Sequence, residues 1–270
     1  MQLKISLIVT TYNSPDLLQG VLNSVLGLEQ MPEEVVIADD GSTSETKDLI
    51  DSYRKEFPCA LVHVWHEDKG YRVASIRNKA VARSTGNYIV FIDGDCLLRP
   101  DFIAQHARLA RPNHFVAGNR AMLTEEYSKY ILRENIDITH LKAFDHDSKS
   151  FNRRWSLLRL PLGIFRHVKS ASWKGVKGCN FSMFTKDFEE CNGHDESFEG
   201  WGYEDSELIV RLLNKGLRRI SGRFAVTVIH LWHSTNKGKE RSLNWDRLQK
   251  SIESKRVRTE QGLDMHRENA

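Results

Sequence analysis

Apolar residues recur along this chain in two periods. Short β-branched runs, Ile5 to Val9, Glu34 to Ala38, Leu61 to Trp65 and Tyr88 to Ile92, alternate with stretches whose apolar positions fall three and four residues apart. The runs read as strands buried on both faces, and the longer stretches as helices with one face against a sheet. Leu17, Leu18, Val21, Leu22, Val25 and Leu26 form one such face, and Ser14, Pro15 and Asp16 before it supply an N-cap, a first-turn proline and an acid. A second helix is expected from about Glu45 to Phe57, a third from Val73 to Arg83 and a fourth opened by Pro100. Strand and helix in repeated alternation predict a mostly parallel sheet flanked by helices. Further on, Phe115 to Gly118, Gly178 to Thr185 and Phe224 to Ile229 read as strands, and Asp205 to Lys215 as a helix closed by Gly216.

The 270 residues, 40% hydrophobic and 28% charged, suit one continuous α/β domain. A net charge of +3 and the lack of an RNA-binding motif give no reason to expect a nucleic-acid partner. Cys59, Cys96, Cys179 and Cys191 contain no CxxC pair, so reduced thiols are expected, not a zinc site or disulfide framework. Lys4 is followed at once by a β-rich run, unlike a signal peptide, and no apolar run is long enough to cross a bilayer, which points to the cytoplasm.

The central strand delivers Asp93-Gly94-Asp95 at its carboxyl end, where open α/β sheets bind ligands. Two carboxylates separated by a glycine suit a hard divalent cation that also needs phosphate oxygens and water, although Asp-Gly is an ordinary turn dipeptide too. Asp39 and Asp40 end another strand on the same edge, and Thr10, Tyr12 and Asn13 follow the first. Between them lie Lys69, Arg72 and Arg77, close to a helix N-terminus that favours an anion. A solvated helix face is the competing account of the two arginines. Acids, a metal and guanidinium groups in one pocket fit a nucleotide diphosphate.

A second anchor runs from Asn192 to Glu207. Gly200 and Gly202 flank Trp201, and Glu204 and Asp205 open the following helix. A carboxylate there can be purely structural, and beside an aromatic platform for a sugar ring it also suits a general base. His230 or His233, after the last strand, could complete a metal shell. Residues 152–178 carry seven Lys and Arg, no Asp or Glu, and many apolar residues. This segment reads either as contact with an anionic membrane or acidic lipid-linked acceptor, or as a loop over the site whose apolar residues are core. Residues 236–270 read as a charged helical tail without chemistry.

Val9-Thr-Thr-Tyr-Asn13, Asp39-Asp-Gly-Ser42, Arg77-Asn78, Phe91-Ile-Asp93-Gly-Asp95 and Gly200-Trp-Gly-Tyr-Glu-Asp205 together resemble glycosyltransferase family 2. The last stretch is similar to the subgroup with a galactosyltransferase-like WGxED motif. The resemblance covers roughly Ile5 to Ser234 and implies the GT-A fold, Rossmann-like with a mixed, mostly parallel sheet. It implies a glycosyltransferase domain over 1–235, with a nucleotide-sugar half over 1–118 and an acceptor half over 119–235. The implied activity is inverting transfer of a hexose or N-acetylhexosamine from a UDP-sugar, with Mn²⁺ or Mg²⁺. Its implied acceptor is a hydroxyl of a glycan or lipid-linked glycan in bacterial surface polysaccharide synthesis, at the inner face of the plasma membrane. By the resemblance, Thr10, Tyr12, Asn13, Asp39 or Asp40, Lys69, Arg77, Asp93 and Gly94 bind the donor. Asp93, Asp95 and His230, or His233 in its place, hold the metal. Trp201, Gly202 and Glu204 bind the acceptor, and Asp205 takes its proton. Two readings compete: a nucleotidylyltransferase, for which the expected glycine-rich basic phosphate loop is missing, and a catalytically inactive carbohydrate- or nucleotide-binding relative.

Overall fold

The structure, a computed structural model, describes residues 2–145, 150–234 and 241–267. The first part of the chain runs β1 (Ile5–Thr11), α1 (Pro15–Leu26), β2 (Glu34–Asp39), α2 (Ser44–Tyr53), β3 (Ala60–Trp65), α3 (Val73–Arg83) and β4 (Tyr88–Asp93). Then follow β5 (Cys96–Leu97), α4 (Phe102–Leu109), β6 (His114–Ala117), β7 (Asn119–Leu123), α5 (Glu125–Glu134) and β8 (Phe151–Asn152). The last part is β9 (Asn180–Phe184), α6 (Thr185–Glu190), α7 (Glu204–Asn214), β10 (Arg218–Ser221), β11 (Thr227–His230) and α8 (Arg241–Ser254).

Seven strands form the main sheet in the order β10-β6-β9-β4-β1-β2-β3. β1 pairs in parallel with β2 and β4, while β9 lies antiparallel between β4 and β6. This is the mixed, mostly parallel α/β sheet expected from the alternation of elements. A second sheet, β5-β11-β7-β8, stands beside it.

The runs are apolar throughout because both sheet faces are covered. Leu7, Val9, Val35, Ile37, Val90 and Ile92 belong to one core layer with Leu18, Leu22 and Val25 of α1. Ile8, Val36, Ile89 and Phe91 belong to the other, with Ile76 and Ala80 of α3 and Leu208 and Leu212 of α7.

Local differences from expectation have local causes. Ser14 occupies the N-cap position of α1 but its Oγ donates to Tyr12 O, so Pro15 and Asp16 carry the helix start. α2 stops at Tyr53, four residues before Phe57, as the chain turns toward Pro58. The last strand begins at Thr227, after the left-handed Phe224 and a turn at Gly222. The described part of the tail is bound into the fold: Leu263 is fully buried, and Arg256 pairs with Asp195 at 2.5 Å and with Glu207 at 2.7 Å. Residues 236–240 and 268–270 of that tail lie outside the described residues.

Candidate active site

Strand ends and helix starts meet at the carboxyl edge of the main sheet. The registers set Thr10 opposite Asp93 and Thr11 opposite Asp39, so both acidic pairs reach the same edge. Asp39 and Asp40 are buried and each is held twice. Asp39 accepts from the Ser42 amide at 2.8 Å and meets His63 Nε2 at 2.9 Å; Asp40 accepts from the Arg72 amide at 2.9 Å and meets His66 Nε2 at 2.6 Å. Gly41 between this pair and Ser42 has φ +102, and a Cβ there would lie 2.6 Å from the Asp68 Cα, so the loop bearing Asp68 closes directly over it.

Arg77 is the hub of the cleft. It projects from α3 with its side chain 3% exposed, and its three nitrogens each serve a different acceptor. Nε donates to Thr10 Oγ1 at 2.9 Å, Nη1 to Asp205 Oδ1 at 2.6 Å and Nη2 to Asp93 Oδ1 at 2.9 Å. Burial works against its charge, yet Asp205 and Asp93 hold it well above the ordinary arginine range. The solvated helix face is therefore not what Arg77 occupies.

Asp205 and Glu204 open α7 after the left-handed Tyr203. The Asp205 carboxylate fits because residue 178 is glycine: a Cβ there would sit 1.6 Å from Asp205 Oδ2. Glu204 is 6% exposed, accepts from the Gly202 amide at 3.1 Å and stands 3.5 Å from Tyr71 Oη. Burial, joined by repulsion from Asp205, pushes its carboxyl up to about 8, so it holds its proton at neutral pH.

Asp95 faces two imidazoles. His230 Nε2 is 3.4 Å and His233 Nε2 3.0 Å from Asp95 Oδ2. Each ring turns Nδ1 to a backbone carbonyl, Leu231 O at 2.7 Å and Ser234 O at 3.2 Å, which fixes Nδ1 as the donor in the neutral ring and leaves the Nε2 lone pair toward the carboxylate. Two acceptors facing one another call for a proton or a cation between them. Burial lowers the His230 pKa and keeps that ring neutral, whereas the hydrogen bond to Asp95 raises His233. Burial pushes Asp93 up to about 6 against the pull of Arg77, with Asp95 and Asp205 adding to the rise. The Cys96 thiol, beside Asp95, is driven far up by burial and by Cys179 and stays protonated. The available donors are then oxygen and imidazole nitrogen, a set that fits a hard or borderline divalent cation.

The remaining expected residues rim the cleft. Tyr12 donates to Asp68 at 2.8 Å, Asn13 Oδ1 accepts from the Thr43 amide at 2.9 Å, and the Gly94 amide donates to Thr10 O at 2.7 Å. Trp201 is half exposed. Lys69 pairs with Glu67 at 3.1 Å, both side chains largely exposed, apart from the Arg77 cluster. The Gly200 amide donates to Tyr71 O at 3.1 Å, tying the Trp201 loop to the loop over the donor side. α8 braces the Trp201 loop: Asn244 donates to Glu199 O at 3.1 Å, and Trp245 meets Tyr203 at 5.2 Å between ring centroids.

Sequence reasoning missed His63, His66, Tyr71 and Gly178. The two histidines could have been found by setting β3 against β2, since a strand beside the acid-bearing strand offers partners. Nothing local in Lys177-Gly178-Cys179 marks the approach of Asp205.

The family model for glycosyl transferase family 2 matches residues 6–179, and that for the N-terminal domain of galactosyltransferase matches residues 165–234. Validoxylamine A glucosyltransferase of Streptomyces hygroscopicus subsp. limoneus is 30% identical over 240 residues, covering 79% of this chain and 48% of that protein. The chain thus spans about half the length of that curated relative. Among solved structures, a mannosyltransferase from Pyrobaculum calidifontis in complex with GDP-Man and Mn²⁺ superposes with a TM-score of 0.60 at 19% identity, covering 94% of this chain and 63% of that one. S. aureus TarS 1–349 in complex with UDP gives a TM-score of 0.62 at 14% identity, covering 97% and 68%. These likenesses give the GT-A fold, and the family matches, reaching from β1 through the end of β11, place the chain in glycosyltransferase family 2.

Proposed function

We propose that the protein is an inverting transferase that moves a hexose or N-acetylhexosamine from a UDP-sugar to a hydroxyl of a glycan acceptor in bacterial surface polysaccharide synthesis. The observation that carries this reading is the Arg77 bridge, which puts Asp93 of the nucleotide edge and Asp205 of the acceptor side in one hydrogen-bonded group. The UDP held by one structural neighbour and the Mn²⁺ and nucleotide sugar held by another support the choice of donor and cofactor.

In this reading Asp39 and Asp40, braced by His63 and His66, bound the uridine side, and Thr10, Tyr12 and Asn13 line it. Asp93, Asp95 and His230, or His233 in its place, are the residues that would hold Mn²⁺ or Mg²⁺. When bound, the ion supplies positive charge against the negative charge growing on the departing diphosphate. Asp205, fixed by Arg77 and Gly178, accepts the proton of the attacking hydroxyl, work typically worth ~10²–10⁴-fold. Glu204, neutral at physiological pH, donates a hydrogen bond to the acceptor, and Trp201 offers a ring face to its sugar. Attack from the Asp205 side as the diphosphate leaves from the other gives a single displacement with inversion.

No helix among the described residues is long and apolar enough to cross a membrane. A peripheral contact through residues 152–178 fits the exposure of Ile164, Phe165 and Val168 beside Arg166 and Lys169. The test is UDP release from a panel of UDP-sugars with Mn²⁺, with and without EDTA. Metal-dependent release with one preferred sugar is expected; no release together with no metal-dependent UDP binding would sink the assignment.

A further inference from the structure

The acceptor half holds a second recess that the reaction above does not use. A cavity of about 220 Å³ opens among Arg120, Arg153, Lys177 and Arg223, with Asn119 and Ser156 in its wall. Among the described residues, no carboxylate lines it. Its cations come from three separate parts of the chain: Arg120 from β7, Arg153 and Lys177 from the acid-free segment, and Arg223 from the turn before β11.

Two local features show that these charges are held in place at a cost. Arg120 Nε is buried with no hydrogen-bond partner among the described residues, an arrangement that is expensive unless a ligand completes it. Arg153 takes the left-handed conformation, φ 67 and ψ 38, which a side chain with a Cβ adopts only against its preference. The walls are fixed by Asn180, whose amide donates to Asn119 O at 3.0 Å and to Val226 O at 2.6 Å.

The recess adjoins the cleft on its acceptor side. Lys177 immediately precedes Gly178, the residue against which the Asp205 carboxylate lies. Arg120 also steadies the charge of Asp93 in the neighbouring cleft, whereas Arg153, Lys177 and Arg223 form no ion pair among the described residues; together they focus positive potential there, and guanidinium forks match the oxygens of phosphate and carboxylate. The volume falls below that of drug-sized pockets, ~300–1,000 Å³, and suits a charged group with part of the sugar that bears it.

We propose that this recess is an acceptor subsite for an anionic group, a phosphate or a carboxylate, carried by the glycan next to the hydroxyl that Asp205 deprotonates. The inference rests on the transferase reading and narrows it: a neutral glycan would leave Arg153, Lys177 and Arg223 without an anionic partner.

Calorimetric titration with glycerol phosphate, methyl glucuronide and the uncharged methyl glucoside tests it, with and without saturating UDP and Mn²⁺. At least one anionic probe is expected to bind tenfold or more tighter than methyl glucoside, more weakly as salt rises, and equally well with UDP in place. Arg153→Asn with Arg223→Gln, the first chosen because asparagine tolerates the left-handed backbone, should weaken that probe at least tenfold, and Lys at both positions should restore part of the loss. Equal binding of charged and neutral probes, unchanged affinity in the double variant, or displacement of the probe by UDP would each overturn the subsite. Failure of UDP itself to bind counts against the transferase reading instead, and the comparison of probes still decides the recess.

Discussion

Asp93 and Asp205 share one guanidinium: Arg77 donates to the first at 2.9 Å and to the second at 2.6 Å. Each acid belongs to a different half of the sequence, and without Arg77 they would face one another across a largely buried cleft. Arg77→Ala is expected to lower turnover by at least ~10²-fold and to cost ~3 kcal/mol of stability, the usual order when one partner of a buried ion pair is removed. Arg77→Lys should rescue little, because a point charge on a flexible stem does not reach three acceptors at once. UDP-release assays and urea unfolding of both variants check this.

Asp205→Asn should leave UDP binding by calorimetry close to wild type while removing ~10²–10⁴-fold of turnover. Equal loss of UDP affinity would mean that the residue organises the donor site and not the proton transfer.

Glu204 behaves differently because its carboxyl is pushed up to about 8 by burial and by Asp205. Between the ordinary glutamate value and about 8 the folded state binds the extra proton, so this group's contribution to stability falls as pH rises through that window. Glu204→Gln removes the slope. The variant should gain stability relative to wild type between pH 6 and 8.5 in urea titrations, and keep more activity than Asp205→Asn.

Metal dependence should distinguish the two imidazoles. His230 is buried and neutral, whereas His233 is drawn toward protonation by Asp95. His230→Ala is expected to weaken Mn²⁺ binding in the presence of UDP by ~10-fold or more, the scale of losing a directing group at a metal site, with His233→Ala weakening it less. The reverse ranking, read by Mn²⁺ titration, would exchange their roles.

Two buried histidines outside the cleft set an acid limit. Burial lowers His106 to about 3 and His194 well below its ordinary value. From about pH 6.5 downward the unfolded chain takes up protons that the folded chain refuses, so stability drops by ~1.4 kcal/mol per pH unit for each histidine. Replacing either by Gln should flatten the fall in urea midpoint between pH 7 and 5, whatever its effect at pH 7.

Local pattern made α3, β4 and α7 legible, since each carries its own period, cap or terminal glycine. What pattern could not convey is pairing across long separations. β9 reads as one more strand, and only the structure reveals that it runs antiparallel between β4 and β6. Arg77 is expected on the donor side, with a solvated helix face as the competing account, because a helix face does not declare which side meets a sheet edge; its bridge from Asp93 to Asp205 is not legible. The tail looked like a charged appendage because the partners of Arg256, Asp195 and Glu207, lie 61 and 49 residues earlier.

The hydrogen bond from the Gly200 amide to Tyr71 O has a kinetic meaning. β9 pairs with both β4 and β6 and so joins the two parts of the main sheet, while the Tyr71 and Trp201 loops stand at its carboxyl edge. Those loops cannot shift separately without breaking that bond. In the proposed reading, a donor that settles the Tyr71 loop would also settle the loop carrying Trp201, and by linkage an acceptor resting on Trp201 would tighten the hold on the donor by the same factor.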